Sequence, residues 1–502
     1  MNNYEWQKTN DESFEKALEQ IIPEPSGTVV SEITPWKKSM NRVLTGLALE
    51  IITLNFYCLN YILPTVGTIL KLLGFRTLKY ENKWFKACYF ISVILALFRF
   101  SSLILNATII QSAYNSSSVG AVVKFIISAL FIIQIICLWR AFLAVQRKAE
   151  LPEHANGAAA LIAVSIITEL LALIEFQGFF IPIALIIGYI FIIRSLYKLS
   201  KDISEAGYVI CTKPIKITDR YIVISIVAVL IIGLVCGYTF GNSYPMEWMP
   251  QEKTEHESIQ KIKSDLISLG FPENILNDIN AEDIKACEGA SQVIVKKSDN
   301  KVNCGLARIK DKLTDSCAGS DSSAGNLCIT SIGVRISSEQ DSWMMFHHFF
   351  WNGKHDFFGT EAVQIQPPFS DNYYCPAANA TGRVLYDING KTFISDYDYI
   401  GTKTYRHDSI FFGSNTRNDI FATFSIPKNS EKQRGYVAYS INEINFGRVI
   451  CSYCNYIHQS FPFPYPSVTA MEYAMNDYFN SSNSFTVIQE QFLIHPEEVI
   501  TE

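Results

Sequence analysis

Four ionisable side chains stand inside long apolar runs of the N-terminal half: Glu50, Arg99, Glu169 and Glu175. A charge near mid-bilayer is expensive, so such residues are kept for pairing, for a proton or solute path, or for both. Glu50 and Glu169 with Arg99 as counter-charge could carry a proton or a charged solute; the plainer reading is a structural Glu–Arg pair. Lys71, Lys124 and Arg140 lie nearer the ends of their runs, where long side chains are expected to reach the interface. In the C-terminal half, Cys451-Ser-Tyr-Cys454 has the spacing of a redox dithiol. A working dithiol needs its first Cys at a helix N-terminus after a strand, whereas the surroundings here read as β structure followed by the Pro-broken stretch 461–466. The spacing therefore favours a local disulfide or two reduced thiols. Cys317 and Cys328 flank a Ser/Gly-rich loop and could close it, as could Cys287 with Cys304.

His347, His348, His355 and Asp356 cluster around an expected hairpin, but no paired CxxC or HExxH accompanies them, and no metal is assigned. Asp387-Ile-Asn389-Gly390 lacks the later Glu of an EF-hand loop and reads as a turn. No GxSxG, GKS/T phosphate loop or GxGxxG occurs, so neither a catalytic residue nor a cofactor is assigned. Trp343, His347 and Trp351 are the candidates for a ligand-stacking surface, with core packing as the competing role.

These residues divide between two different chains. Lys plus Arg number 21 in residues 1–241 and 21 in 242–502, and Asp plus Glu number 16 and 32. The halves thus carry +5 and −11, which sum to the chain's −6. A basic membrane half joined to an acidic soluble half argues against nucleic acid as a partner. The lipid bilayer and an extracytoplasmic ligand or protein are the partners expected. Residues 1–35 are polar and acidic, with no signal-peptide pattern, and read as a disordered cytoplasmic tail.

Apolar runs occupy 44–75, 84–106, 120–145, 157–175, 179–198 and 221–240. Basic residues gather at 37–42, 76–86, 140–148 and 194–220, whereas 107–119 and 176–178 hold none. The positive-inside rule makes the four clusters cytoplasmic and the two links external. The first run is basic at both ends and too long for one straight pass. It predicts a hairpin of two short helices breaking near Asn60 and Pro64, with one tilted helix as the alternative. The expected architecture is an α-helical polytopic membrane domain of about seven helices over 36–241, the first two a short hairpin. The N-terminus lies inside and residue 242 onward outside. A weak repeat relates Pro64 and Arg76-Thr77-Leu78 to Pro182 and Arg194-Ser195-Leu196, each after a Glu-bearing run.

The segments Thr34-Pro35-Trp36-Lys37-Lys38, Leu54-Asn55-Phe56, Tyr61-Ile62-Leu63-Pro64, Leu73-Gly74-Phe75-Arg76, Glu81-Asn82-Lys83-Trp84-Phe85 and Leu269-Gly270-Phe271-Pro272 carry a resemblance. The chain resembles uncharacterised multi-pass membrane proteins of low-GC Gram-positive bacteria with a large extracytoplasmic C-terminal domain. The resemblance implies a bacterial cell-surface protein at the plasma membrane and supplies no active-site or binding residues.

Beyond 242 the pattern changes. Ile259, Ile262, Leu266 and Leu269 form a helical stripe, Gly270 stops it, and Asn280-Ala-Glu-Asp283 resembles a capping box. Residues 242–290 are therefore expected to be a helical stalk or cover. From 291 to 502, short runs rich in aromatic and β-branched residues predict an extracytoplasmic, mainly-β sandwich or jelly-roll-like domain, with hairpin signatures at Asn352-Gly353 and Asn389-Gly390. The run 342–351 is apolar at both odd and even positions, as a strand covered on both faces would be. The leading expectation is a non-enzymatic surface protein that presents a binding β domain, and the alternative is a transporter-like protein using its intramembrane Glu and Arg.

Overall fold

The computed structural model describes residues 33–51, 58–174, 176, 178, 180–211, 217–251, 256–302, 325–337, 342–353, 356–366, 380–409, 413–441, 450–476 and 484–495. The chain divides into two compact units. One is Met1–Leu105 with Ser112–Cys236; the other is Asn106–Gln111 with Gly237–Glu502.

The first unit is helical. Its elements are α1 (Trp36–Ile51), α2 (Leu59–Leu78), α3 (Lys83–Leu105), the short α4 (Ile110–Ser116), which begins in the other unit, α5 (Ser118–Lys148), α6 (Asn156–Leu173), α7 (Phe180–Glu205) and α8 (Asp219–Phe240), which also ends there. A two-stranded ladder pairs β1 (Ile33–Pro35) with β2 (Val209–Cys211). Among the described residues four helices, α3, α5, α7 and α8, are long and apolar enough to cross a membrane. This corrects the expected count of about seven. α1 has 16 residues and carries Lys37, Lys38, Arg42 and Glu50; α2 is interrupted by Lys71 and Arg76; and α6 is short.

The run 44–75 is a helical hairpin, but its break precedes Asn60 and Pro64, which both lie inside α2. Cys58, with φ of 60°, starts the second helix. The two helices touch through glycine: a Cβ on Gly46 or on Gly67 would stand 2.6 Å from the other's carbonyl oxygen. Small residues admit such close backbone approach, which brings the two helices into dense van der Waals contact. From the hairpin, neighbours run α1–α2–α3–α5–α6–α7 and return to α1, so six helices close a ring. Buried hydrogen bonds fasten the seam between α1 and α7: Tyr189 donates to the Leu47 carbonyl at 2.7 Å, and Trp36 Nε1 donates to the Ser200 carbonyl at 3.2 Å. Asp219, at the start of α8, accepts from Arg42 at 2.7 Å and Arg76 at 2.9 Å, tying α8 to both arms of the hairpin.

The second unit is a β-sandwich with a helical layer. Its strands are β3 (Met249–Pro250), β4 (Gln292–Val302), β5 (Gly325–Ser337), β6 (Ser342–Asn352), β7 (Glu361–Gln366), β8 (Thr381–Ile388), β9 (Lys391–Asp396), β10 (Tyr399–Ser409), β11 (Gly413–Phe424), β12 (Glu431–Ile441), β13 (Ile450–Gln459) and β14 (Phe485–Ile494). One sheet has the order β3-β9-β8-β12-β6-β5-β4, the other β10-β11-β7-β13-β14, and every ladder is antiparallel. The core between them joins Trp343, Met345, Phe349 and Trp351 of β6 to Val363, Phe424, Tyr456 and Phe492 of the facing sheet. Trp351 Nε1 donates to the Tyr456 hydroxyl across this gap at 3.0 Å, so the indole is buried with its polar atom satisfied.

The other face of β6 is covered too. α9 (Glu257–Ser268), α10 (Glu273–Leu276) and α11 (Ala281–Lys285) pack Ile259, Ile262, Leu266, Phe271 and Ile284 against Ile332, Met344, Phe346 and Tyr436. The segment is therefore a cover on the sheet. Asn280 caps α11 by accepting from the Asp283 amide at 2.7 Å. The Asp283 carboxylate does not return the bond; it accepts from Tyr436 at 2.6 Å and Thr381 at 2.8 Å, and the Tyr436 hydroxyl accepts from the Asn280 amide at 3.0 Å. Half of the expected capping box has been spent on docking the helix to the sheet. Asn389 and Gly390, with φ of 51° and 73°, make the expected tight turn between β8 and β9. Asn352-Gly353 does not make a hairpin: β6 ends there, and β7 belongs to the other sheet.

His347, 1% exposed, lies between the sheets. Its Nδ1 is 2.8 Å from Ser331 Oγ and its Nε2 is 3.3 Å from Ser452 Oγ. Burial pulls its pKa from 6.5 down to about 3. Below 6.5 the unfolded chain takes up a proton that the folded one refuses. The stabilisation is therefore complete above pH 6.5 and shrinks towards pH 3 by about 1.4 kcal/mol per pH unit. Thermal unfolding of the full chain across this range is expected to be shallower in pH for His347→Gln; an identical slope would refute the assignment.

Candidate functional site

Each unit contains a recess where candidate polar and charged groups come together. In the first unit it is a chamber of about 310 Å³ inside the ring, lined by Glu50, Lys71, Arg99 and Glu169 together with Thr68 and Phe131. Five helices contribute. α1 brings Glu50, α2 brings Thr68 and Lys71, α3 brings Arg99, α5 brings Phe131, and α6 brings Glu169. Three of the four charges singled out from the sequence thus meet, and Glu175 lies outside the described residues.

The chamber also corrects one expectation. Lys71 does not reach for an interface: its side chain is 2% exposed and its Nζ lies 2.5 Å from Glu50 Oε2. Phe131 receives the same ammonium over its ring face at 5.3 Å. The other carboxylate oxygen, Glu50 Oε1, accepts from the Thr68 hydroxyl at 2.8 Å. Glu50 is thereby satisfied inside the hairpin, while Arg99 and Glu169 line the same chamber. The missed signal was positional. Once 44–75 folds back on itself at close quarters, Glu50 and Lys71 must meet near its middle.

In the second unit, a groove of about 560 Å³ runs between the helical cover and the outer face of β4, β5 and β6. Register builds its floor in rows, because residues paired across antiparallel strands share a face. Lys297, Thr330 and His348 form one row, Asp299, Cys328 and Phe350 the next, and Asn326 with Asn352 the third. Asn274 and Ile275 of α10 supply the wall. Behind the first row, His348 Nε2 lies 2.9 Å from Asp278 Oδ2, and Arg434 Nε donates to Asp278 Oδ1 at 2.8 Å. Burial pushes the Asp278 carboxyl up, but His348 and Arg434 outweigh it and hold it below its ordinary value. The wall is thus locked to the floor by a charge-assisted network.

The remaining candidates are placed as follows. Trp343 and Trp351 are 0% and 1% exposed, and with His347 they face the sandwich core; they form no ligand surface. Cys451 and Cys454 are free thiols on β13, three residues apart and therefore on opposite faces, which rules out a local disulfide or redox pair. Cys328 and Cys287 are also free, while Cys317 and Cys304 lie outside the described residues. His348 joins Asp278, and His355 is not described. Among the described residues, no group of three or more His, Cys, Asp or Glu is placed to hold a metal ion.

Breaking a buried ion pair by removing one partner costs about 3–5 kcal/mol, while replacing both is far milder. Lys71→Met is expected to destabilise the detergent-solubilised chain by that order, and Glu50→Gln/Lys71→Met to recover most of it. Additive losses in this double-mutant cycle would show that the two groups do not interact.

No family model and no curated protein matches the chain. Among solved structures, it is similar to the crystal structure of the KRT10-binding region domain of the pneumococcal serine-rich repeat protein PsrP. The similarity covers 33% of this chain and 86% of that one, at 9% identity and a TM-score of 0.16, a level at which it carries no argument.

Proposed function

We propose that the chain is a non-enzymatic, multi-pass plasma-membrane protein whose β-sandwich unit faces away from the cytoplasm and binds a ligand or partner there. Four helices among the described residues, long and apolar enough to span a bilayer, support the membrane assignment. The basic clusters around 37–42, 76–86, 140–148 and 194–220 support the orientation. The observation that carries the binding role is the groove over β4, β5 and β6. Lys297, Asp299, Asn326 and Asn352 present both donors and acceptors on a sheet rigidified from behind, which suits a polar glycan or peptide.

The test is thermal unfolding of the full chain in detergent while cell-wall glycan fragments, peptides, calcium and zinc are titrated. A ligand at a hundred times its Kd adds about 2.7 kcal/mol. A saturable rise that disappears in Asn326→Ala/Asn352→Ala supports the groove, and the absence of any saturable rise overturns it.

The chamber favours a second reading, a path for protons or a small charged solute through the ring, because Arg99 and Glu169 line a recess that the Glu50–Lys71 pair leaves open. Proton flux in proteoliposomes, followed with an internal pH dye, is expected to exceed that of empty vesicles and to fall in Glu169→Gln. Flux equal to empty vesicles removes this reading.

A further inference from the structure

A third recess, of about 620 Å³, opens between α1 and α7, with Lys37, Asn41, Phe191, Arg194, Lys198 and Lys201 on its walls. We infer that it is a binding site for the headgroup of an anionic phospholipid, whose acyl chains lie along the adjoining face of α7.

The argument begins with spacing. Ile183, Ile187, Phe191, Arg194, Lys198 and Lys201 follow one another at intervals of three or four, so they form a single stripe along α7. The first three are apolar and exposed, Phe191 by 66%, and the last three are cationic. The change from apolar to basic occurs within one turn. A phospholipid has the same division, hydrocarbon followed by phosphate. α1 completes the basic end from the other side with Lys37 and Asn41, one turn apart.

Charge selects the headgroup. Among the described residues no carboxylate lines the recess. Glu205 engages Lys201 at 3.3 Å, and among the described residues Lys37, Arg194 and Lys198 take part in no ion pair. Within the same clusters Arg42 and Arg76 are engaged by Asp219. Three cations facing one concavity leave a local positive field that a phosphodiester satisfies, while a zwitterionic headgroup would add its own ammonium to them. The Asn41 amide and the Ser195 hydroxyl add neutral hydrogen-bonding groups to the lining.

The experiment uses the full chain, purified in detergent and stripped of lipid. Its thermal midpoint is followed while dioleoylphosphatidylglycerol, dioleoylphosphatidylcholine or glycerol 3-phosphate is titrated. The expected result is a saturable rise with phosphatidylglycerol, at least roughly tenfold more potent than any effect of phosphatidylcholine, and none with glycerol phosphate. Lys198→Gln or Arg194→Gln should weaken the phosphatidylglycerol response roughly fivefold each. Arg194→Lys should retain it, and Lys124→Gln, a cation on α5 outside the recess, should leave it unchanged. These side chains are exposed, so single substitutions are not expected to disturb folding. Equal potency of the two lipids overturns the inference, as does an unaltered response in Lys198→Gln. A full response to glycerol phosphate also overturns it, by making the recess a free-anion site.

Discussion

A strand with large side chains on both faces must be covered twice, and β6 imposes that condition on the whole second unit. Trp343, Met345, Phe349 and Trp351 require an opposing sheet, while Met344 and Phe346 require something else behind. The second requirement is met by three short helices that could not hold themselves together, since α10 and α11 have four and five residues. They persist because Phe271, Ile275 and Ile284 have a wall to bury against, and because Asp278 and Asp283 anchor them to Arg434, His348 and Tyr436. The groove is a consequence of this arrangement. Beside the short α10, the outer rows of β4, β5 and β6 carry Lys297, Asp299, Asn326 and Asn352 next to Cys328 and Phe350.

The first unit solves a different problem, how to place charge among apolar helices, and it does so in three ways. Asp219 is shared by two arginines, which fixes the start of α8 to the hairpin. Glu50 and Lys71 are buried together, an arrangement that adds little net stability against an apolar pair but specifies which helix faces which. Lys37, Arg194 and Lys198 face a recess between α1 and α7.

Much of this was legible where local chemistry decides the structure. The double-faced strand 342–351, the stripe Ile259, Ile262 and Leu266, the stop at Gly270 and the turn at Asn389-Gly390 all follow from side-chain period or from positive φ. β10 was not legible because it is an edge strand, with Lys403 and Arg406 among its residues, and edge strands are written in polar side chains. The β character around Cys451–Cys454 is legible, but the central place of β13 is not, since it carries Ser452 and Asn455, whose polar groups are met by Tyr439 and Gln364 on other strands. For the same reason the pairing of Glu50 with Lys71 is not legible along the chain, and for Trp343, His347 and Trp351 the sequence leaves a stacking surface open beside core packing, the role the structure gives them. Pairing and burial are tertiary facts that no window along the chain contains. The count of spanning helices failed on a simpler point, since α1, α2 and α6 are apolar enough to pack in a ring but too short or too charged to qualify alone.

The thiols of the sandwich unit have a consequence of their own. Cys287 and Cys454 are both pushed up to about 12, chiefly by burial, and are 1% and 3% exposed. Burial also raises Cys328, the thiol in the groove, with Asp299 adding to it. Oxidants and disulfide exchange act through the thiolate, which these sites withhold at neutral pH. Apolar packing and the Asp278 network fasten the described part of this unit without a crosslink. These three thiols are held unreactive by their packing.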